Sequence, residues 1–209
     1  MYPMKIPPSA FVLAAFPIFF ITAQVPKPSA QAMKAPLKIY SDSINGVIFS
    51  YPADWYLSQK PSFYLQPLIF NPQQPAQAMV SSRSSGDHPE TNFDGLEFTY
   101  VALTESSQAS CLESVTKDID PDERRLETVT INRTQFFHIK TGDVGLCHQA
   151  GRDVYETYRH GTCFLFEAAF HTVCPDPDNG RAQLTTQQSK ALSRPLDAII
   201  QTVKISPAK

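Results

Sequence analysis

The chain has 209 residues, with 18 basic and 20 acidic side chains and a formal net charge of −2. That balance excludes the basic surface on which nucleic-acid or anionic-membrane binding depends. Four cysteines leave room for two disulfides or a small thiolate site, and no repeat organises the chain beyond a doubled H-x-x-C.

The first element in chain order reads as a targeting segment. Lys5 gives a weakly positive start, and Phe11 to Ala23 (FVLAAFPIFFITA) is an apolar run too short to span a bilayer comfortably. Ala30-Gln31-Ala32 then supplies an A-x-A cleavage pattern. Residues 1–32 are therefore expected to be a secretory signal peptide, and the mature chain to begin at Met33, periplasmic or secreted, with no stable membrane span. A retained anchor is the alternative, against which Pro17 interrupts the run; no cysteine lies nearby to carry a lipid. Processing removes Lys5 and Lys27 and no acid, leaving 16 basic and 20 acidic side chains. The remaining 177 residues suffice for one domain, 33–209, burying roughly 70% of its unfolded surface.

In LKIYSDSINGVIFSYPADWYL, Leu37 to Leu57, a turn at Asn45-Gly46 precedes Val47, Phe49 and Tyr51 alternating against Ile48 and Ser50, which predicts a half-buried strand. A Pro turn and Trp55 follow; these aromatics read as core packing. Asn71 to Asn92 (NPQQPAQAMVSSRSSGDHPETN) is rich in Pro, Gln and Ser and longer than most internal loops. It is expected to be a loop insertion at about 71–92: a surface insertion, a lid or a binding loop. In SSQASCLESVTKDI, Cys111, Leu112, Val115 and Ile119 recur at helical spacing.

Arg152–Tyr158 and Thr162–Val173 are rich in β-branched and aromatic residues and flank Arg159-His160-Gly161, a hairpin signal. With His160-Gly161 as a two-residue loop, Arg159 faces Thr162, Tyr158 faces Cys163, Tyr155 faces Phe166 and Cys147 faces Cys174. Opposed Cβ atoms lie about 4.5–5.5 Å apart, close to disulfide reach. Cys163 and Cys174 are separated by roughly 36 Å of extended strand, far beyond bridging distance, and Cys147–Cys163 fails likewise. The full pairing that survives is Cys147–Cys174 with Cys111–Cys163, the second tying a helix to the sheet. An oxidising compartment favours it over free thiols or metal.

Metal and catalytic readings are weaker. Residues three apart on a strand point to opposite faces, so neither H-x-x-C (His160/Cys163, His171/Cys174) chelates an ion on an unbroken strand. The register gathers Glu167, His171, Glu156, Arg152 and His148 on the Cys163 face, while Phe164, Phe166, Ala168, Phe170 and Tyr155 form the core face. His148 and His171 are diagonal neighbours and the candidate metal ligands. Glu167 and His171 stand about 13 Å apart along the strand and cannot share an ion. The plainer reading is a half-exposed face with an Arg152–Glu167 cross-strand pair. No nucleophile elbow, phosphate-cradling Gly loop or H-E-x-x-H occurs. Cys147 and His148 face opposite ways and make no nucleophile–base couple. Asp176 and Asp178 fall in a Pro-broken loop, Cys174 to Gln188, and lack calcium-loop spacing.

The segment GVIFSYPADW resembles the entry strand of the PsbP-like family, and LTTQQSKALSRPLDAIIQTVKI, ending at Ile199 to Ile205, resembles its closing helix and strand. The family pattern implies a helix over Ser106–Lys117, strands over Glu127–Asn132 and Gln135–Thr141, then the long hairpin. It implies one α+β domain, an antiparallel sheet with helices on both faces. Members are mostly small accessory or binding proteins; one branch assists photosystem II and others are bacterial envelope proteins. No metal- or partner-binding residue of the photosystem branch has a clear match here. The expectation is thus a secreted or periplasmic non-enzymatic binding domain, without cofactor, acting on an unidentified protein or envelope component. A metal-binding protein using His148 and His171 is the alternative.

Overall fold

Local chemistry closes the hairpins of this chain, and the hairpins build the fold. The computed structural model describes residues 36–63, 66–69, 76–82, 88–117, 119, 125–145 and 147–206, which belong to one compact unit within Met33–Lys209. Strands β1 (Leu37–Asp42) and β2 (Val47–Pro52) pair antiparallel. The Asp42 carboxylate caps their turn, accepting the backbone N–H of Ile44 at 3.0 Å and of Asn45 at 3.1 Å. Gly46 takes φ 69°, which glycine adopts without Cβ strain. β2 then buries Val47, Phe49 and Tyr51 and exposes Ile48, as the alternation predicts.

Strand β3 (Tyr56–Ser58) is followed by β4 (Ala78–Ser81) and β5 (Phe93–Thr104). Helix α1 (Gln108–Thr116) starts at Ser107, whose hydroxyl accepts from the Ser110 N–H while Ser110 caps back, a reciprocal pair that satisfies two helix-end donors. Strands β6 (Arg125–Ile131), β7 (Thr134–Gly145), β8 (His148–Arg159) and β9 (Thr162–Val173) form a meander. Asn132 and Arg133 make the β6–β7 turn with φ of 47° and 67°, and His160 and Gly161 make the β8–β9 turn with φ of 50° and 78°. Two consecutive positive φ values are the mark of the turn whose twist matches flanking strands. A 3-10 turn (Pro177–Asn179), helices α2 (Thr186–Leu192) and α3 (Arg194–Thr202), and strand β10 (Lys204–Ile205) complete the chain.

The strands form two antiparallel sheets rather than one. A three-stranded sheet has the order β1-β2-β10, and a seven-stranded sheet the order β3-β4-β5-β9-β8-β7-β6. On one side of the large sheet, Phe98, Tyr100, Phe164 and Phe166 pack with Val47, Phe49 and Trp55 of the first hairpin and with Leu196, Ile199 and Ile200 of α3. On the other, Met79, Val101, Ile139, Val154 and Leu165 pack with Cys111 and Val115 of α1 and with Ile69. Among the described residues no helix is long and apolar enough to cross a membrane.

Two expectations need correction. The stretch read as an insertion at 71–92 contains β4, whose four residues are all buried, because Ala-Met-Val-Ser supplies an inner strand too short to outweigh the surrounding Pro, Gln and Ser. Residues 71–75 and 83–87 of it lie outside the described residues, as does the expected signal peptide. The closing helix is two helices, because Pro195 lacks the N–H that would continue α2 into α3. The hairpin register holds residue for residue from Arg159↔Thr162 to His148↔Val173. Since Gly161 sits at φ 78° with nothing within contact distance of an added Cβ, Gly161→Ala is expected to cost backbone strain alone, about 1–2 kcal/mol. Urea unfolding checks it, and an unchanged midpoint would mean that the turn does not hold the register.

Candidate functional site

The sheet centre carries a polar cluster inside the core. On the face shared by Cys163, β5 contributes Glu97, β8 Arg152, and β9 Glu167 and His171. Ala169, a small residue, stands between Glu97 and Arg152 across three strands. Arg152 pairs with Glu167 through Nη1 and donates from Nη2 to the Gln66 carbonyl at 2.8 Å. Glu167 accepts the Ile69 N–H at 3.1 Å, and Glu97 accepts the Ser62 N–H at 3.0 Å. Phe63 stacks on His171 with centroids 4.3 Å apart, seated where a Cβ on Gly95 would come within 2.5 Å of its ring. The cluster therefore holds down the segment around Ser62–Phe63 and Gln66–Ile69.

Burial makes this arrangement costly. Glu97 and Glu167 are 0% exposed, His171 2% and Arg152 3%, so the half-exposed face expected from the sequence is a covered one. The alternation was legible, but the segment that closes over it was not. Loss of hydration pushes the Glu97 carboxyl up to about 7, the Glu167 charge adding to it, and pushes Glu167 up while Arg152 opposes the shift. Burial, with Arg152 and His148 nearby, brings the His171 imidazole down to about 3. Glu97 Oε1 and His171 Nε2 have no hydrogen-bond partner among the described residues.

Cys111 and Cys163 stand at disulfide distance with Cα atoms 5.5 Å apart, and so do Cys147 and Cys174 at 4.6 Å. Cys174 donates its N–H to the Cys147 carbonyl at 2.7 Å. His148 and His171 share a face, and the field of one reaches the other. No third ligand joins them within coordinating distance among the described residues, where the three-ligand group is Cys111, Glu156 and Cys163. His160 is a turn residue, and Asp176 accepts from Asn179 and pairs with Arg181.

Sequence reasoning missed two features. His138 bridges two carboxylates, Nδ1 to Glu127 at 2.8 Å and Nε2 to Asp153 at 2.6 Å, and stacks on Tyr155. The register of the outer strands, His138 opposite both Glu127 and Tyr155, would have disclosed it. The other is a cleft of about 630 Å³ lined by Tyr51, Trp55, Tyr56, Phe93 and Leu96, with Lys38, Asp54 and His88 among its polar groups. Its residues come from five separated stretches, which no local pattern connects.

No family model and no curated protein matches the chain. Among solved structures it is similar to the PsbP protein of Synechocystis, at 12% identity over 84% of this chain and 96% of that one, with TM-score 0.46. It is similar to LpqN of Mycobacterium tuberculosis, a protein involved in cell envelope biogenesis, at 11% identity over 82% and 91%, with TM-score 0.45. It is also similar to the Ran-binding protein Mog1p of Saccharomyces cerevisiae, at 9% identity over 82% and 96%, with TM-score 0.44. A PsbP protein thus stands among the solved folds that this chain resembles.

The buried carboxyl sets a pH dependence. Glu97 keeps its proton in the folded state up to about 7 but loses it near 4.5 when unfolded. The folded state therefore binds more protons between those values, and this group's contribution to stability falls as pH rises through that window. His171 acts oppositely: burial keeps it neutral in the folded state down to about 3, whereas the unfolded chain takes its proton near 6.5, so its contribution to stability falls as pH falls through that range. Glu97→Gln is expected to make the slope of the urea midpoint against pH more positive than the parent's between pH 4.5 and 7; a slope equal to that of the parent protein would contradict the burial of an acid here.

Proposed function

We propose that this chain is an exported, non-enzymatic accessory domain of PsbP-like type, an α/β/α sandwich that binds a protein partner at the cleft beside β3. The cleft is the observation that carries this reading. Its aromatic walls supply large contact area at low side-chain entropy cost, and its mixed charges suit a polypeptide better than a uniformly charged ligand. Of the residues that line it, Tyr56 and Leu57 are 53% and 42% exposed, where burial would ordinarily stabilise them. β3 ends the seven-stranded sheet, so an extended segment laid along it gains main-chain hydrogen bonds as well as side-chain contacts. Ser82 and His88, both from the stretch read as an insertion, line the cleft, which agrees with function concentrating on loops held by a rigid scaffold.

Export is supported by the apolar leader with its A-x-A pattern and by two cysteine pairs at disulfide distance, a state that oxidising compartments maintain. The buried polar cluster favours a scaffold role over chemistry: its hydrogen bonds go to the chain's own backbone at Ser62, Gln66 and Ile69.

Two measurements test this reading. The intact mass of the exported protein without reductant is expected to correspond to a chain starting at Met33, lighter by two hydrogens for each of two bridges. A mass retaining residues 1–32 would refute processing at that site. A photo-crosslinking amino acid in place of Tyr56 is expected to yield a discrete adduct in cells, abolished by Leu57→Glu; absence of any adduct from position 56 would remove the cleft as the binding face.

A further inference from the structure

Cys111, Cys163 and Glu156 meet in a corner between α1 and the β8–β9 hairpin, and all three are 0% exposed. Cys111 Sγ lies 2.8 Å from Glu156 Oε1, and one ligand atom from each of the three falls within 4.8 Å of the others. Glu156 Oε1 also accepts from the Gln108 side chain, whereas Oε2 has no hydrogen-bond partner among the described residues. A side cavity of about 90 Å³, lined by Gln108, Gln135, Phe137 and Glu156 among others, adjoins the carboxyl.

A buried carboxyl with one unpartnered oxygen is unfavourable, and a disulfide gives it nothing to bind. The same three side chains with the sulfur–sulfur bond open form a different object. Two thiolates and one carboxylate are the donor set of a borderline-soft divalent cation, with metal–sulfur distances of about 2.3 Å and metal–oxygen distances of about 2.0–2.2 Å for zinc. Three protein ligands leave a fourth position, and the adjoining cavity offers water or the Gln108 amide to fill it.

We propose that reduction of the Cys111–Cys163 bridge converts this corner into a two-cysteine, one-glutamate site for a thiophilic divalent cation, zinc by its chemistry. The reductant is a dithiol: it delivers two electrons and two protons, closes its own disulfide and leaves Cys111 and Cys163 as thiols. The entering cation then displaces both thiol protons and the carboxyl proton, giving a complex of net charge −1 beside the Gln108 N–H donor. Because uptake releases these protons, it is expected to strengthen as pH rises. The site is separate from His148 and His171 and does not depend on the cleft as a binding face.

Cobalt(II) is the probe, because thiolate ligation gives near-ultraviolet charge-transfer bands and tetrahedral geometry gives intense visible bands. The protein, reduced with a phosphine under inert gas, is expected to take up one cobalt per chain with both signatures and to surrender it to zinc. The Cys147→Ser/Cys174→Ser variant should bind equally, Glu156→Gln at least tenfold more weakly, and Cys163→Ser should lose most of the charge-transfer intensity. Far-ultraviolet circular dichroism follows folding in parallel. A reduced chain that unfolds and refolds on adding cobalt supports the site, and one that takes up no cobalt, folded or unfolded, overturns it. Undiminished binding in Glu156→Gln, or binding lost only in the Cys147/Cys174 variant, overturns it as well.

Discussion

The two-residue turn at His160-Gly161 is the constraint on which the rest of this molecule depends. A strand's side chains alternate between faces, so a slip of one residue would exchange the two faces of β9 completely. With Arg159 opposite Thr162, Phe164 and Phe166 fall on the side of α3 and the first hairpin, and Cys163 and Leu165 on the side of α1. The same register brings Glu167 diagonal to Arg152, Cys163 under Cys111, and Cys174 beside Cys147. One local backbone preference, two consecutive positive φ values at a His-Gly pair, thus positions the core, both cysteine pairs and the buried ion pair.

The register also explains why polar residues occupy the sheet centre. Arg152 and Glu167 gain one another, but a buried pair seldom outweighs its lost hydration by attraction alone. Here each carboxylate also receives a backbone N–H, and the guanidinium gives one bond to a backbone carbonyl, all from Ser62 to Ile69. The described residues of that stretch, 62–63 and 66–69, belong to no strand or helix that would satisfy their main-chain groups, and a buried unpaired peptide group is expensive. The charges and the segment solve each other's problem. Gly95 completes the arrangement by admitting the Phe63 ring against His171.

Legibility in the sequence followed the range of the interaction. Hairpins were readable because Asn45-Gly46 and His160-Gly161 act over a few residues, and the cysteine pairing followed once a register was fixed. α1 was readable from the spacing of Cys111 and Val115, both buried as expected. The division into two sheets was not, because β10 joins β2 from the far end of the chain. Nor was the burial of Glu97, Arg152 and Glu167, since what covers them lies over 80 residues from Arg152 in sequence. β4 was hidden for a compositional reason: Ala78–Ser81 is a short inner strand among residues typical of loops.

The cleft and the Cys111–Glu156–Cys163 corner sit at different kinds of place, and the difference bears on function. The cleft is bordered by β3, an edge strand of the large sheet, and by residues such as Tyr56 that are already half in water. A partner arriving there need displace only solvent. The corner lies beneath α1 on the inner strands β8 and β9, where all three side chains are fully buried. A change in it alters how α1 is tied to the sheet, because Cys111 is a helix residue and Cys163 a strand residue. An open bridge releases the covalent tie between those two elements, and a cation held by the same sulfurs and Glu156 restores it without the sulfur–sulfur bond. On the proposed chemistry α1 is tied to the sheet by the bridge or by the cation, and neither tie involves the strand that borders the cleft.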